Sequence, residues 1–204
     1  MKTIYLSLLL FLGFFQSTMA QDEELLLEIA EPWRSERLSF PIHFAPSLDY
    51  KGIEEVRFAK GWGKKDSEEF WTYAFLWYLD EDPALTEAQL AKDIQAYFDG
   101  IMNLIGKGRG LTDIPESTVT FEGKPGVVIS HASDNHAGIR YEGQVKTFDA
   151  FFTKGMQTLN FTAISDYCPE TKKYTVLFTF SPQERDHAIW KTLNGIKLAK
   201  GCYN

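Results

Sequence analysis

Two histidines and a carboxylate fall close together in Ser130-His131-Ala132-Ser133-Asp134-Asn135-His136, between two predicted strands. Imidazoles with a carboxylate between them can bind a divalent metal or pass protons. His131, Asp134 and His136 are therefore the candidate metal ligands, and a metal-dependent hydrolase is the alternative function they suggest. The five-residue spacing of the two histidines on a loop matches no zinc signature, and no third zinc ligand is visible. The plainer reading is a polar hairpin loop whose Ser, Asp and Asn side chains bond the turn backbone.

The aromatic residues Trp62, Trp71, Tyr73 and Trp77 form the second constellation. Aromatic faces line apolar cavities or stack on sugars, so these four are the candidate ligand-binding residues. At strand spacing aromatic residues also build cores; Trp62, between Gly61 and Gly63 at a strand end, is the one expected to be exposed. The acidic run Asp80-Glu81-Asp82 lacks the spacing of a calcium loop and reads as a solvated turn. Glu54, Glu55 and Arg57 read as the solvent face of a strand. There is no Gly-x-Ser-x-Gly elbow. Gly106-Lys107-Gly108-Arg109-Gly110 follows a helix instead of opening one, so it is a link and not a phosphate loop. Asn160-Phe161-Thr162 matches the glycosylation sequon but lies in mid-strand. No motif implies a cofactor, and no catalytic residue is assigned.

The compartment is read from the N-terminus. Lys2, the apolar run Ile4–Phe15 and the polar exit Gln16–Ala20 make residues 1–20 a cleavable signal peptide; the run is too short to span a bilayer. No Cys at the junction offers a lipid anchor. An exported product, periplasmic or extracellular, of about 184 residues follows, enough for one domain with a real core. Hydrophobic residues make up 44% and the net charge is −7, so the chain is neither disordered in composition nor a basic binder of nucleic acid. The partners expected are an apolar or glycan ligand, or an envelope protein. The chain's two cysteines, Cys168 and Cys202, are expected to pair in an oxidising compartment. That bridge would close a loop of roughly 34 residues and stabilise by about 3 kcal/mol.

Residues 21–37 read as an irregular lead-in and 38–204 as a single globular domain. Strands are predicted at Leu38–Phe44, with Pro41 placing it at an edge, and at Glu54–Ala59, Phe70–Leu79, Thr118–Glu122, Val127–His131, Ile139–Thr147, Gln157–Ser165 and Tyr174–Phe180. Phe70–Leu79 is apolar on both faces and so is expected to be central. Gly123-Lys124-Pro125-Gly126 is a hairpin signal between two of these strands. Leu90, Ile94, Tyr97 and Ile101 recur at helical spacing, with Thr86 and Gln89 as a capping box; the helix is read over 86–105. A second is read over 182–194, capped by Ser181 and Glu184, with Ile196–Leu198 as a short edge strand. The fold class is α+β: a mostly antiparallel sheet of about seven strands, with both helices packed on it.

This element order across 38–200, with the closing stretch Trp190-Lys191-Thr192-Leu193-Asn194-Gly195-Ile196, loosely resembles the PsbP-like α+β sandwich of exported accessory proteins. The resemblance implies an accessory or binding role without catalysis. It carries over no functional residue.

Overall fold

The computed structural model describes residues 25–30, 32–123, 126–130 and 137–199. Residues 1–20, read as a signal peptide, the whole His131–His136 stretch and Cys202 lie outside the described residues. The chain is α+β and mostly antiparallel, with ten strands and two helices among the described residues. Strands β1 (Leu27–Glu28) and β10 (Lys197–Leu198) form a small antiparallel ribbon. The other eight strands form one sheet, larger than the seven-strand expectation. They are β2 (Arg34–Ser39), β3 (Gly52–Phe58), β4 (Tyr73–Leu79), β5 (Thr118–Phe121), β6 (Val127–Ser130), β7 (Ala137–Phe148), β8 (Met156–Cys168) and β9 (Lys173–Ser181). Their order is β2-β3-β4-β9-β8-β7-β5, with β6 also on β7.

Helix α1 (Glu87–Gly108) lies on one face, and α2 (Ile189–Asn194) with the ribbon covers the other. Alternation along each strand supplies both cores. Trp71, Tyr73, Phe75, Trp77 and Leu79 face α1, while Ala74 and Leu76 face α2. As the two-faced pattern of this segment predicts, β4 is central, between β3 and β9. Leu90, Ile94, Tyr97, Phe98 and Met102 form the buried stripe of α1. The helix backbone comes so close to the segment after β2 that a Cβ at Gly100 would meet the Phe44 carbonyl oxygen at 2.1 Å.

Several boundaries differ from expectation, each for a local reason. The first edge strand is Arg34–Ser39 instead of Leu38–Phe44: its ladder with β3 runs from Arg34 to Ser39, and Pro41 has no N–H with which to extend it. Half of the capping box forms: Thr86 Oγ1 accepts from the Gln89 amide at 3.1 Å, but the Gln89 side chain donates to Asp93. α1 continues to Gly108, past the expected stop at 105. β5 and β6 do not pair as a hairpin. They run in succession and in the same direction along the same partner, β5 opposite Gly143–Lys146 and β6 opposite Ala137–Arg140. The C-terminal helix is only Ile189–Asn194, not 182–194. Residues after β9 spend their polar groups on tertiary bonds in place of a helical ladder: Gln183 O accepts from Asn160 Nδ2 and Trp190 Nε1, and Arg185 donates to the Gly143 and Phe161 carbonyls. No helix among the described residues is long and apolar enough to cross a membrane.

Candidate functional site

A cavity of about 330 Å³ opens between α1 and one end of the sheet. Phe58, Trp62, Trp71 and Tyr73 form its sheet side, Tyr97, Phe98, Ile101, Met102 and Ile105 its helix side, and Phe151 and Phe152 its lid edge; Arg34 and Glu36 stand on the rim. Its size is near the lower end for small-molecule sites, and its lining is mainly aromatic and aliphatic, as such sites are.

Each wall is fixed by a specific local device. Trp62 sits in a turn held by Trp62 N–Ala59 O at 3.0 Å and by Glu69, whose carboxylate accepts from the Gly61 amide at 2.7 Å. Its ring meets Phe58, Phe152 and Phe151 with centroids 4.8, 4.9 and 5.4 Å away. Trp62 is therefore half-buried against aromatic rings, not the exposed residue expected from its glycine neighbours.

Trp71 has φ +52°, a left-handed conformation that is costly for a bulky side chain. It is held there by its amide on Trp62 O at 3.0 Å and by the next residue, Thr72, whose hydroxyl is 2.9 Å from that of Ser181. Glycine would satisfy such a turn without strain, so the indole itself is what the position supplies.

The Phe151–Phe152 wall is built around one carboxylate. Asp149 is fully buried and accepts from the amides of Phe151 and Phe152 at 2.9 Å each and of Thr153 at 2.7 Å. Arg109, at the C-terminal end of α1, donates to the Ala150 and Phe151 carbonyls. What reads in sequence as a flexible glycine link thus ties the helix to the lid edge.

Beside the cavity lies a buried carboxylate with no cation among its hydrogen-bond partners. Glu54 has no exposed surface and accepts from Trp77 Nε1 at 2.7 Å and from the Tyr97 hydroxyl at 2.9 Å. Burial pushes its pKa up to about 7, although both hydrogen bonds pull the other way. Burial and the nearby Glu54 charge push the Tyr73 and Tyr97 phenols well up. Further along α1, burial also raises Asp93, against hydrogen bonds from Tyr50 and Gln89.

The next residue, Glu55, points through the sheet into a different setting. It accepts from Leu26 N at 2.8 Å, Leu27 N at 3.1 Å, Arg37 at 2.8 Å and Arg57 at 3.0 Å. Burial alone would raise its carboxyl, but these four donors outweigh it and hold the group below the usual carboxylate range. Glu54, Glu55 and Arg57 are thus all buried, correcting the solvent-face expectation. Adjacent strand residues point to opposite faces, and here both faces are covered.

Of the four candidate ligand-binding aromatics, Trp62, Trp71 and Tyr73 line the cavity together. Trp77 does not: it is fully buried deeper in the core, between Phe40, Tyr50 and Phe178. The candidate metal ligands His131, Asp134 and His136 lie outside the described residues. Among the described residues no group of three or more His, Cys, Asp or Glu side chains could hold a metal ion. Cys168 is buried at the end of β8, and no free cysteine occurs among the described residues; its expected partner Cys202 lies outside them. Asn160 of the sequon is 5% exposed and bonded to Gln183 and Gln144, so it offers no surface for a glycan. The wall residues missed from sequence are Phe151, Phe152 and the α1 stripe. Helical spacing marks the stripe itself but not that Tyr97 and Ile101 line a cavity, and nothing local marks Asp149 as a loop organiser.

No protein family, curated protein or solved structure matches this chain.

Proposed function

We propose that the chain is an exported, non-catalytic binding module that holds a small apolar molecule between α1 and the sheet. The observation that carries this reading is the aromatic cavity itself. A surface helix on a sheet normally packs down to native density, yet here the contact leaves about 330 Å³ open, beside a strained tryptophan and a lid edge pinned by a buried aspartate. Export rests on the signal-like residues 1–20, and the accessory role implied by the PsbP-like resemblance belongs to the same proposal.

Native mass spectrometry of the purified protein, with titration by the neutral probe N-phenyl-1-naphthylamine, tests it. Expected are a retained small molecule or saturable quenching of tryptophan emission with matching probe enhancement. Trp62→Ala should change the probe's affinity severalfold. No retained mass together with no saturable probe signal overturns the reading.

A further inference from the structure

The chain has five tryptophans, and their indole N–H groups divide sharply. Trp77 donates to Glu54 at 2.7 Å and Trp190 to Gln183 O at 3.0 Å. Trp62 and Trp71 have buried Nε1 atoms with no partner, and both line the cavity. The third unpartnered indole, Trp33, packs on the opposite face of the sheet. A buried N–H without an acceptor costs about as much as a lost hydrogen bond, and native structures rarely leave one without a reason. Two of the three belong to side chains that line one cavity, one of them on a residue held at φ +52°; both nitrogens are covered by neighbouring atoms, so an acceptor in the cavity reaches them by a small turn of the ring.

An indole nitrogen donates and never accepts. The complementary group is therefore an acceptor. The other polar lining groups sharpen the choice. The Tyr97 hydroxyl already donates to Glu54. Arg34 on the rim pairs with Glu36 at 3.3 Å and lies over the Phe58 ring at 4.6 Å, so the entrance carries both charges and not a lone cation. A second carboxylate there would compete with Glu36 and meet a chain of net charge −7.

We infer that the occupant of this cavity is a neutral apolar molecule bearing a hydrogen-bond acceptor, such as a ketone, ester or ether oxygen, which receives the N–H of Trp71 or Trp62. This rests on the binding-module reading and names the ligand class of that same site.

A matched pair of probes tests it: 2-acetylnaphthalene, which carries a carbonyl, and 2-isopropylnaphthalene, which has nearly the same shape and none. One neutral hydrogen bond to an otherwise unsatisfied donor should favour the ketone by about three- to ten-fold in Kd. Trp71→Phe and Trp62→Phe each remove an N–H and keep a ring; one of them should bring the ratio close to one while leaving the hydrocarbon's affinity within about two-fold. The bound ketone's carbonyl stretch should lie below its frequency in dry alkane, and that shift should vanish in the same variant. Equal affinity of the two probes for the native protein, or a ketone preference and carbonyl shift surviving in both variants, overturns the acceptor assignment and leaves the cavity reading standing. Tighter binding of 2-naphthoate than of the ketone overturns the neutral assignment. Failure of both naphthalenes to bind counts instead against the cavity as a binding site.

Discussion

Glu54 makes stability fall as the pH rises through neutrality. Its carboxyl is fully buried, and its hydrogen-bond partners are Trp77 and Tyr97. Moving its pKa from 4.5 in the unfolded chain to about 7 in the fold means that the native state binds a proton more tightly than the unfolded state. At about 1.4 kcal/mol for each pH unit, the difference is on the order of 3 kcal/mol. The contribution is complete below about pH 4.5, shrinks as the unfolded carboxyl ionises above that value, and is gone once the pH has passed the folded value near 7. Asp93, also raised, adds a loss of the same sign. Glu55 works in the opposite sense, since its depressed carboxyl stabilises above the ordinary carboxylate range and loses that stabilisation in acid. The perturbation is Glu54→Gln, which keeps the shape and cannot ionise. Urea unfolding followed by tryptophan emission at pH 5, 6, 7 and 8 reads the effect. The wild-type free energy of unfolding should drop across that range by about 2.5 kcal/mol more than that of the variant, part of the full difference being already lost at pH 5. Placing a carboxamide N–H₂ where two donors already point will lower the variant's stability at every pH, but only the difference in slope is at issue. Parallel profiles for the two proteins would refute the reasoning.

Two further outcomes follow from the same geometry. Asp149→Ala removes the acceptor of three amides and should cost about 2 kcal/mol or more; hydrogen exchange at residues 151–153 should accelerate while α1 stays protected, and uniform acceleration would show that the carboxylate is not a local organiser. Cys168 and Cys202 are proposed to pair: iodoacetamide under denaturing, non-reducing conditions should leave the mass of the protein purified from an oxidising compartment unchanged, and after reduction should add two carbamidomethyl groups. Labelling before reduction would exclude the bridge.

The fold class was legible because periodicity states it directly. The alternation of Trp71 to Leu79 marks a two-faced central strand, and Leu90, Ile94 and Tyr97 mark a helix with one buried stripe. The extra strands were not, because their reasons are tertiary. Arg34–Ser39 is polar and exposed in much of its length and becomes a strand only through its ladder with β3. Residues 182–188 carry every local helix signal, yet Arg185 and Gln183 bond to distant backbone groups. The candidate site was half legible. Trp62, Trp71 and Tyr73 stand out by type, but the same criterion includes Trp77, whose N–H is committed to Glu54. That Glu54 itself faces inward was available from its spacing to Val56 and Phe58 on the same strand side, which a reading of Glu54 and Glu55 as one charged surface overlooks.

The back-to-back carboxylates of β3 have a consequence for how this sheet is assembled. A one-residue slip of β3 against β4 would exchange their environments. The Glu55 carboxylate would leave Arg37 and its two amides for the aromatic side, and Arg57, two residues on in the same strand, would be carried with it under α1. Glu54 would lose its indole and phenol donors. Each displacement strands a buried polar or charged group, at several kcal/mol apiece. An all-apolar strand could slide with far less penalty, since either face of it would accept either core. The pair therefore acts as a key that admits one alignment of the edge hairpin, and with it one position for the rim residues Arg34 and Glu36 over the cavity mouth.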